Sequence, residues 1–246
     1  NYLECPFLLD PYLESMTTAL SKTAQCIIHN RFLAQQHQHN QKEENNDSLA
    51  ENQGASSLAH LFSALYALCK VRGRKRIQTL LPHHVSDVEP VLFELQSHVA
   101  YISLSNQQQS VEEEDIEAQP WESTYILLLW LGAVSLVPFD LHTIDSSTSS
   151  AASTTLVSSA IGSTINHLFD AGPTREVASS TLSILLSRPD MDDETNDNEL
   201  MLFFRFADLM LKNFLIMQQK QQQRYEQNNE DNADDLHNGK KDEHAD

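Results

Sequence analysis

Ile126 to Leu131 is apolar at every position and lies inside a longer apolar run, Tyr125 to Phe139, that follows Pro120. A surface helix keeps one polar face, so a helix that is apolar all round has to be covered by neighbours on several sides. Gly132, Ser135 and Pro138 interrupt the run, which is shorter than the roughly 20 residues needed to span a bilayer. The chain is therefore expected to fold around this helix, with no membrane insertion.

The flanking sequence supplies the covers. Asp10-Pro11 reads as a helix start, because the Asp side chain can cap free amides and proline fits a first turn. Leu13, Met16, Leu20, Ile27 and Ile28 then share one face, which predicts a first helix to about Phe32. Leu58, Leu61, Phe62, Leu65, Tyr66, Leu68 and Cys69 predict a second, with Gly73 where a left-handed stop belongs. A short turn over Arg74 to Leu81 ends at Pro82. Ser86 with Glu89 has capping-box spacing, Asp87 is an equally good cap, and Pro90 is tolerated in the first turn of the helix that follows. Its stripe is Val88, Val91, Leu92, Leu95, Val99 and Ile102.

Later stripes are Leu156, Val157, Ala160, Ile161, Ile165, Leu168 and Phe169, then, past the break at Gly172-Pro173, Val177, Ala178, Leu182, Leu185 and Leu186, ended by Pro189. Asn198 to Met217 is a last amphipathic helix. No sustained period-two alternation marks a strand. Successive helices separated by breakers predict an all-α fold, an α-solenoid of HEAT- or armadillo-like helical hairpins, although the spacing shows no strict repeat period.

Composition divides the chain into a first helical segment (1–34), a Gln, Asn, His and acid-rich insertion (35–56), a helical-repeat domain (57–217) and a Gln, Asn and acid-rich tail (218–246). Flexible loops are expected near 105–119 and 142–155, the second including the Ser/Thr/Ala linker from Ser146 to Thr155. The insertion and tail are expected to be disordered, since they bury too little apolar area to offset ordering entropy.

The net charge of -19 and pI near 4.8 exclude nucleic acid as principal partner, because phosphate binding needs a surplus of Lys and Arg. Cys5, Cys26 and Cys69 are an odd set without C-x-x-C spacing, which implies a reducing, cytosolic setting rather than a disulfide framework or thiolate zinc site. The chain opens on Asn1 with no charged segment leading into an apolar one, so a piece of a longer protein without a secretory signal is expected.

Few residues invite a chemical role. Lys70, Arg72, Arg74, Lys75 and Arg76 form the densest positive cluster; Arg72, Arg74, Lys75 and Arg76 are the expected partner-binding residues, because guanidinium forks pair with carboxylates on an acidic protein. The same cluster also fits a solvated helix end complementing the macrodipole. His83-His84 and the pair His37 and His39 lack further ligands at suitable spacing, so no metal site is expected. The chain has no G-x-S-x-G elbow, G-x-G-x-x-G fingerprint or P-loop; a hydrolase using His83 or His84 with Ser86 is the enzymatic alternative. Asp87, Glu89 and Asp140 read as caps. Trp121, Tyr125, Trp130 and Phe139 read as core, while Phe203, Phe204, Phe206, Met210 and Phe214 offer a face on which a further repeat could pack.

Four segments carry a family likeness. Lys70 to Val91 (KVRGRKRIQTLLPHHVSDVEPV) resembles the K-V-R-G-x-K, L-(F/L)-P-H-x-V-x-D-V-E-P-V pattern of the tubulin-folding cofactor D family. Trp121 to Leu141 (WESTYILLLWLGAVSLVPFDL) resembles its W-E-x-x-Y-x-L-L-L-W-L, L-x-P-F-D pattern. Leu8 to Glu14 is similar to its L-L-D-P-H-L-E stretch, and Ser187 to Asp190 to its S-R-P-D helix end. The resemblance implies an amino-terminal portion of a longer, cytoplasmic helical-repeat chaperone associated with the microtubule cytoskeleton. Such a protein captures β-tubulin and, with partner cofactors C and E and an Arf-like small GTPase, assembles or dismantles the α/β-tubulin dimer and promotes GTP hydrolysis by tubulin. It implies no catalytic residue, cofactor or metal in this chain. The alternative is a generic armadillo-like adaptor for an unrelated client.

Overall fold

The computed structural model describes residues 5–40, 48–105, 120–144, 155–191 and 199–238. Among them lie eight α-helices: α1 Asp10–Asn40, α2 Ser48–Arg72, α3 Arg74–Gln78, α4 Val88–Ser105, α5 Pro120–Val134, α6 Leu156–Asn166, α7 Pro173–Leu186 and α8 Glu199–Asn238. No strand occurs among the described residues. The chain divides into two compact units, Asn1–Asp190 and Met191–Asp246; α1 to α7 belong to the first.

Helix α5 is the hub of the first unit. Every residue from Ser123 to Val134 is buried, and α2, α4 and α7 lie against it, with α3 touching one end. Each fully buried Leu or Ile contributes about 1.5–3 kcal/mol of transfer free energy, so a run such as Ile126, Leu127, Leu128 and Leu131 concentrates the hydrophobic drive in one helix. An outer layer completes the stack: α1 covers α2 and α4, and α6 lies on α7 and α4. The all-round apolar character of α5 is thus answered by neighbours on several sides, as helical hairpins stacked side by side provide.

One position sets a close approach. A methyl group on Gly132 would come within 2.9 Å of Thr181 Oγ1 and 3.0 Å of Gln78 Nε2, so the missing side chain brings α5 near α7. There the Thr181 hydroxyl donates to the Leu128 carbonyl at 2.8 Å, satisfying a polar group that is otherwise cut off from water. On α1 the buried stripe is Leu13, Thr17, Ser21, Ala24 and Ile28. Met16, expected on that face, is exposed, and the fully buried Thr17 beside it takes its place in the seam.

Helix ends follow backbone chemistry. Gly73, at φ +84°, takes the left-handed conformation that ends α2, and its N–H donates to the Cys69 carbonyl at 2.8 Å. Gly172, at φ +73°, precedes Pro173 in the first turn of α7. Before α4, Asp87 acts as one of the caps expected there: its carboxylate accepts the His84 backbone N–H at 3.2 Å, and a single turn over Val85–Asp87 leads into the helix.

The polar segments differ from expectation where they are described. Helix α1 continues through Gln35 and Gln36 to Asn40, and α2 already begins at Ser48, so 35–40 and 48–56 are helical rather than coil. Ala and Gln have good intrinsic helix propensity, and extending an existing helix adds one hydrogen bond per residue without a new nucleus. The tail behaves likewise, with α8 running to Asn238. The remainder of the expected insertion (41–47), all but Ser105 of the loop expected near 105–119, the Ser146 to Thr155 linker except Thr155, and the final residues 239–246 lie outside the described residues. Phe169, expected in the stripe of α6, is exposed on the turn after it.

Candidate protein-binding surface

The residues that carry the family likeness bind one another or the neighbouring helix α1. Arg72 reaches Asp10, with Nη2 donating to Oδ2 at 2.8 Å and Nε 2.6 Å from Oδ1, which ties the end of α2 to the start of α1. Asp87, whose side chain is 1% exposed, accepts from Gln25 Nε2 at 2.7 Å and lies 2.8 Å from His29 Nε2, fastening the turn before α4 to α1. The Trp130 indole N–H donates to the Pro82 carbonyl at 2.7 Å. Arg188 donates to the carbonyls of Ser135, Val137 and Phe139 and pairs with Asp190, while Asp190 accepts the Leu141 N–H at 3.0 Å. Burial alone would raise the Asp190 pKa, but hydrogen bonds from Arg188 and the Leu141 amide outweigh it and hold the carboxyl below its ordinary range.

These clamps divide the basic cluster. Arg72 is committed to Asp10, so one expected partner-binding residue is occupied within the fold. Arg74 is half-buried, and its Nη1 has no hydrogen-bond partner among the described residues. Lys75 and Arg76 stand exposed on α3, and no described carboxylate pairs with either. Lys70 is exposed and lies over the Tyr66 ring at 5.9 Å, near enough for a cation–π contact.

Beside the basic residues lies an aromatic cluster that the sequence assigned to the core. Trp130 and Tyr125 are indeed buried, but Trp121 is 38% and Phe139 57% exposed. Helical spacing identifies a face without saying where the covering layer stops, and Trp121 sits in the first turn of α5, at its edge. Tyr66 packs edge-on against both Trp121, with centroids 4.8 Å apart, and Tyr125, at 5.0 Å. Burial pushes the Tyr125 phenol up to about 12, with further raising by Cys69, Tyr66 and Glu176 and opposition from Arg74. Burial also pushes the Cys69 thiol up to about 12, so it stays protonated and unreactive.

His83 and His84 serve the turn before α4. His83 Nδ1 donates to the Leu81 carbonyl at 3.1 Å, and the parallel rings of His83 and His84 are 6.4 Å apart. No hydrogen bond joins either ring to Ser86 among the described residues, and no group of three or more His, Cys, Asp or Glu gathers among them as metal ligands. His37 and His39 lie within α1. Asp140 accepts the His142 N–H at 2.8 Å as a cap. In the second unit, α8 exposes Phe204, Leu211, Phe214 and Met217. No described helix is long and apolar enough to cross a membrane.

What these elements define is an all-α scaffold of armadillo type, whose polar motifs lock helices together and whose outer face carries aromatic and basic side chains. The pattern of the tubulin-specific chaperone D-like ARM repeat family matches residues 1–204, and the chain belongs to that family. No solved structure matches it. Membership supports a tubulin-chaperone role in general and a protein-holding scaffold as the chain's mode of action.

Proposed function

We propose that this chain forms part of a scaffold that holds β-tubulin and, together with partner cofactors C and E and an Arf-like small GTPase, assembles or dismantles the α/β-tubulin dimer. The scaffold promotes GTP hydrolysis by tubulin only within that multi-cofactor complex, and the chain brings no catalytic group or cofactor of its own. It works in the cytoplasm, associated with the microtubule cytoskeleton.

The observation that carries this reading is the exposure of Lys75 and Arg76 on α3 of a tubulin-chaperone family member, with no described carboxylate paired to them. Half-exposed Arg74 extends the same face. Charges left unpaired at a surface steer an oppositely charged client during diffusional encounter more than they add to final affinity. The test is stopped-flow capture of β-tubulin by the chain carrying Lys75→Glu and Arg76→Glu. Association should slow by about tenfold at low salt and converge with wild type at high salt; unchanged association rates would remove the steering role. Capture of an unrelated client without tubulin or the GTPase would favour a generic armadillo-like adaptor.

A further inference from the structure

The aromatic cluster and the basic cluster meet. Tyr66 and Lys70 are one turn apart on α2, Trp121 packs edge-on against Tyr66 from α5, and Arg74 begins α3, close enough for its charge to act on Tyr125. We propose that Trp121, Tyr66, Lys70 and Arg74 form a docking site for an acidic, extended peptide segment that carries an apolar anchor residue. The anchor lies against the exposed face of Trp121, and a neighbouring carboxylate is gripped by Arg74 and Lys70. This rests on the reading that the basic cluster takes an acidic client, and it names the part of the client that is recognised.

Three observations favour that occupant. Trp, Tyr and Arg are the residue types that dominate binding energy where they are held rigidly at a surface, and the edge-on contacts of Tyr66 fix Trp121 although it is more than one-third exposed. A guanidinium donor without an acceptor is costly, and Arg74 Nη1 is such a donor among the described residues; in the docked state this half-buried side chain turns outward to present it to the carboxylate. Five of the chain's sixteen Lys and Arg residues fall between Lys70 and Arg76, so an acidic ligand finds its complement here although the chain as a whole would repel it. Glu122 and Glu176 border the cluster, acting on Tyr66 and Tyr125 respectively, but neither forms an ion pair with Arg74. They set a limit on charge at the rim and so favour a ligand anchored by an apolar group over one held by charge alone.

The test uses the full 246-residue chain and a fluorescein-labelled peptide of alternating Glu and Gly around one central Phe, followed by fluorescence anisotropy. Binding should weaken by about tenfold each for Trp121→Ala, Arg74→Gln and Lys70→Gln, and by a similar factor when the peptide's Phe becomes Ala or its Glu residues become Gln. Far-UV circular dichroism identifies any variant that fails to fold; Lys70→Gln, at an exposed position, keeps the proposal testable in that event. Equal affinity of wild type and folded Trp121→Ala overturns the site, as does stronger binding of polyadenylate with the same variant dependence, which would make it a phosphate-binding face. If the peptide does not bind while Lys75→Glu with Arg76→Glu still slows capture of β-tubulin, the docking site is wrong and the client reading stands. If the peptide binds with the stated dependence and β-tubulin is not captured, the docking site stands and the client reading falls.

Discussion

Arg188 turns one guanidinium into the fastening of an entire corner. Its side chain is 10% exposed, and the three carbonyls it serves, on Ser135, Val137 and Phe139, belong to the turn that leaves α5. Without that donor the carbonyls of Ser135 and Val137, both buried residues, lose their partner, and charge-assisted bonds of this type are worth about 1.5–3 kcal/mol each in net terms. Arg188→Ala should therefore cost about 3 kcal/mol or more of unfolding free energy, read as a fall in the urea midpoint. His98 supplies a pH dependence of known sign. Burial lowers its pKa below the ordinary 6.5, as do the charges of His167 and Arg31, against the opposing hydrogen bond to the Pro120 carbonyl. The unfolded chain then takes up the proton before the folded one does. His98's contribution is thus fully present above pH 6.5 and is lost as pH falls through the folded value. Urea midpoints measured downward from neutral pH should decline, and His98→Gln should show a shallower decline. Equal slopes would show that His98 does not carry the effect. Buried Glu94 works in the opposite direction, since burial raises its pKa against the pull of Arg31; its contribution weakens as pH rises, which is why the comparison needs the single variant rather than the wild-type curve alone.

Among the elements, α5 was the most legible, because an uninterrupted apolar stretch allows no orientation that leaves a face in water. Gly73 and Gly172 were legible for a similar reason: each ends a periodic stripe, and each adopts positive φ. The stripe of α1 was not, since Thr17 and Ser21 are fully buried there and neither carries the apolar signal that periodicity detects. The site was legible only as charge. The cluster at 70–76 was visible, but the removal of Arg72 into an ion pair with Asp10 needs the fold to bring together residues 62 positions apart, and the exposure of Trp121 depends on where the neighbouring layer ends. Gly132 is an element-scale constraint, although in the sequence it only interrupts the apolar run. Gly132→Ala should place a methyl group against Thr181 Oγ1, which cannot retreat without giving up its bond to Leu128. Overpacking of this kind costs about 1–3 kcal/mol, and differential scanning calorimetry should show the loss. Gly132→Ala combined with Thr181→Ser would restore none of it if the backbone separation of α5 and α7 is the cause, and part of it if the threonine methyl is what blocks a shift.

At the scale of the whole molecule the charge distribution sets two salt dependences of opposite sign. A net charge of -19 spread over 246 residues makes the folded chain repel itself, and compaction is penalised most when screening is weakest. The Debye length shrinks from about 30 Å at 0.01 M to about 10 Å at 0.1 M salt, so added NaCl relieves that repulsion across the molecule. The basic segment from Lys70 to Arg76 is short and local, and its attraction for an acidic client at a distance is screened over the same range. Raising NaCl from 0.01 to 0.1 M, the interval over which that screening length changes, should therefore raise the urea midpoint while lowering the association rate with an acidic client. Both measurements can be made on one preparation. A midpoint that falls with salt would mean that the clamps, above all Arg72 with Asp10 and Arg188 with Asp190, outweigh global repulsion. An association rate indifferent to salt would mean that capture proceeds through apolar contact alone, with the basic cluster reduced to a helix end.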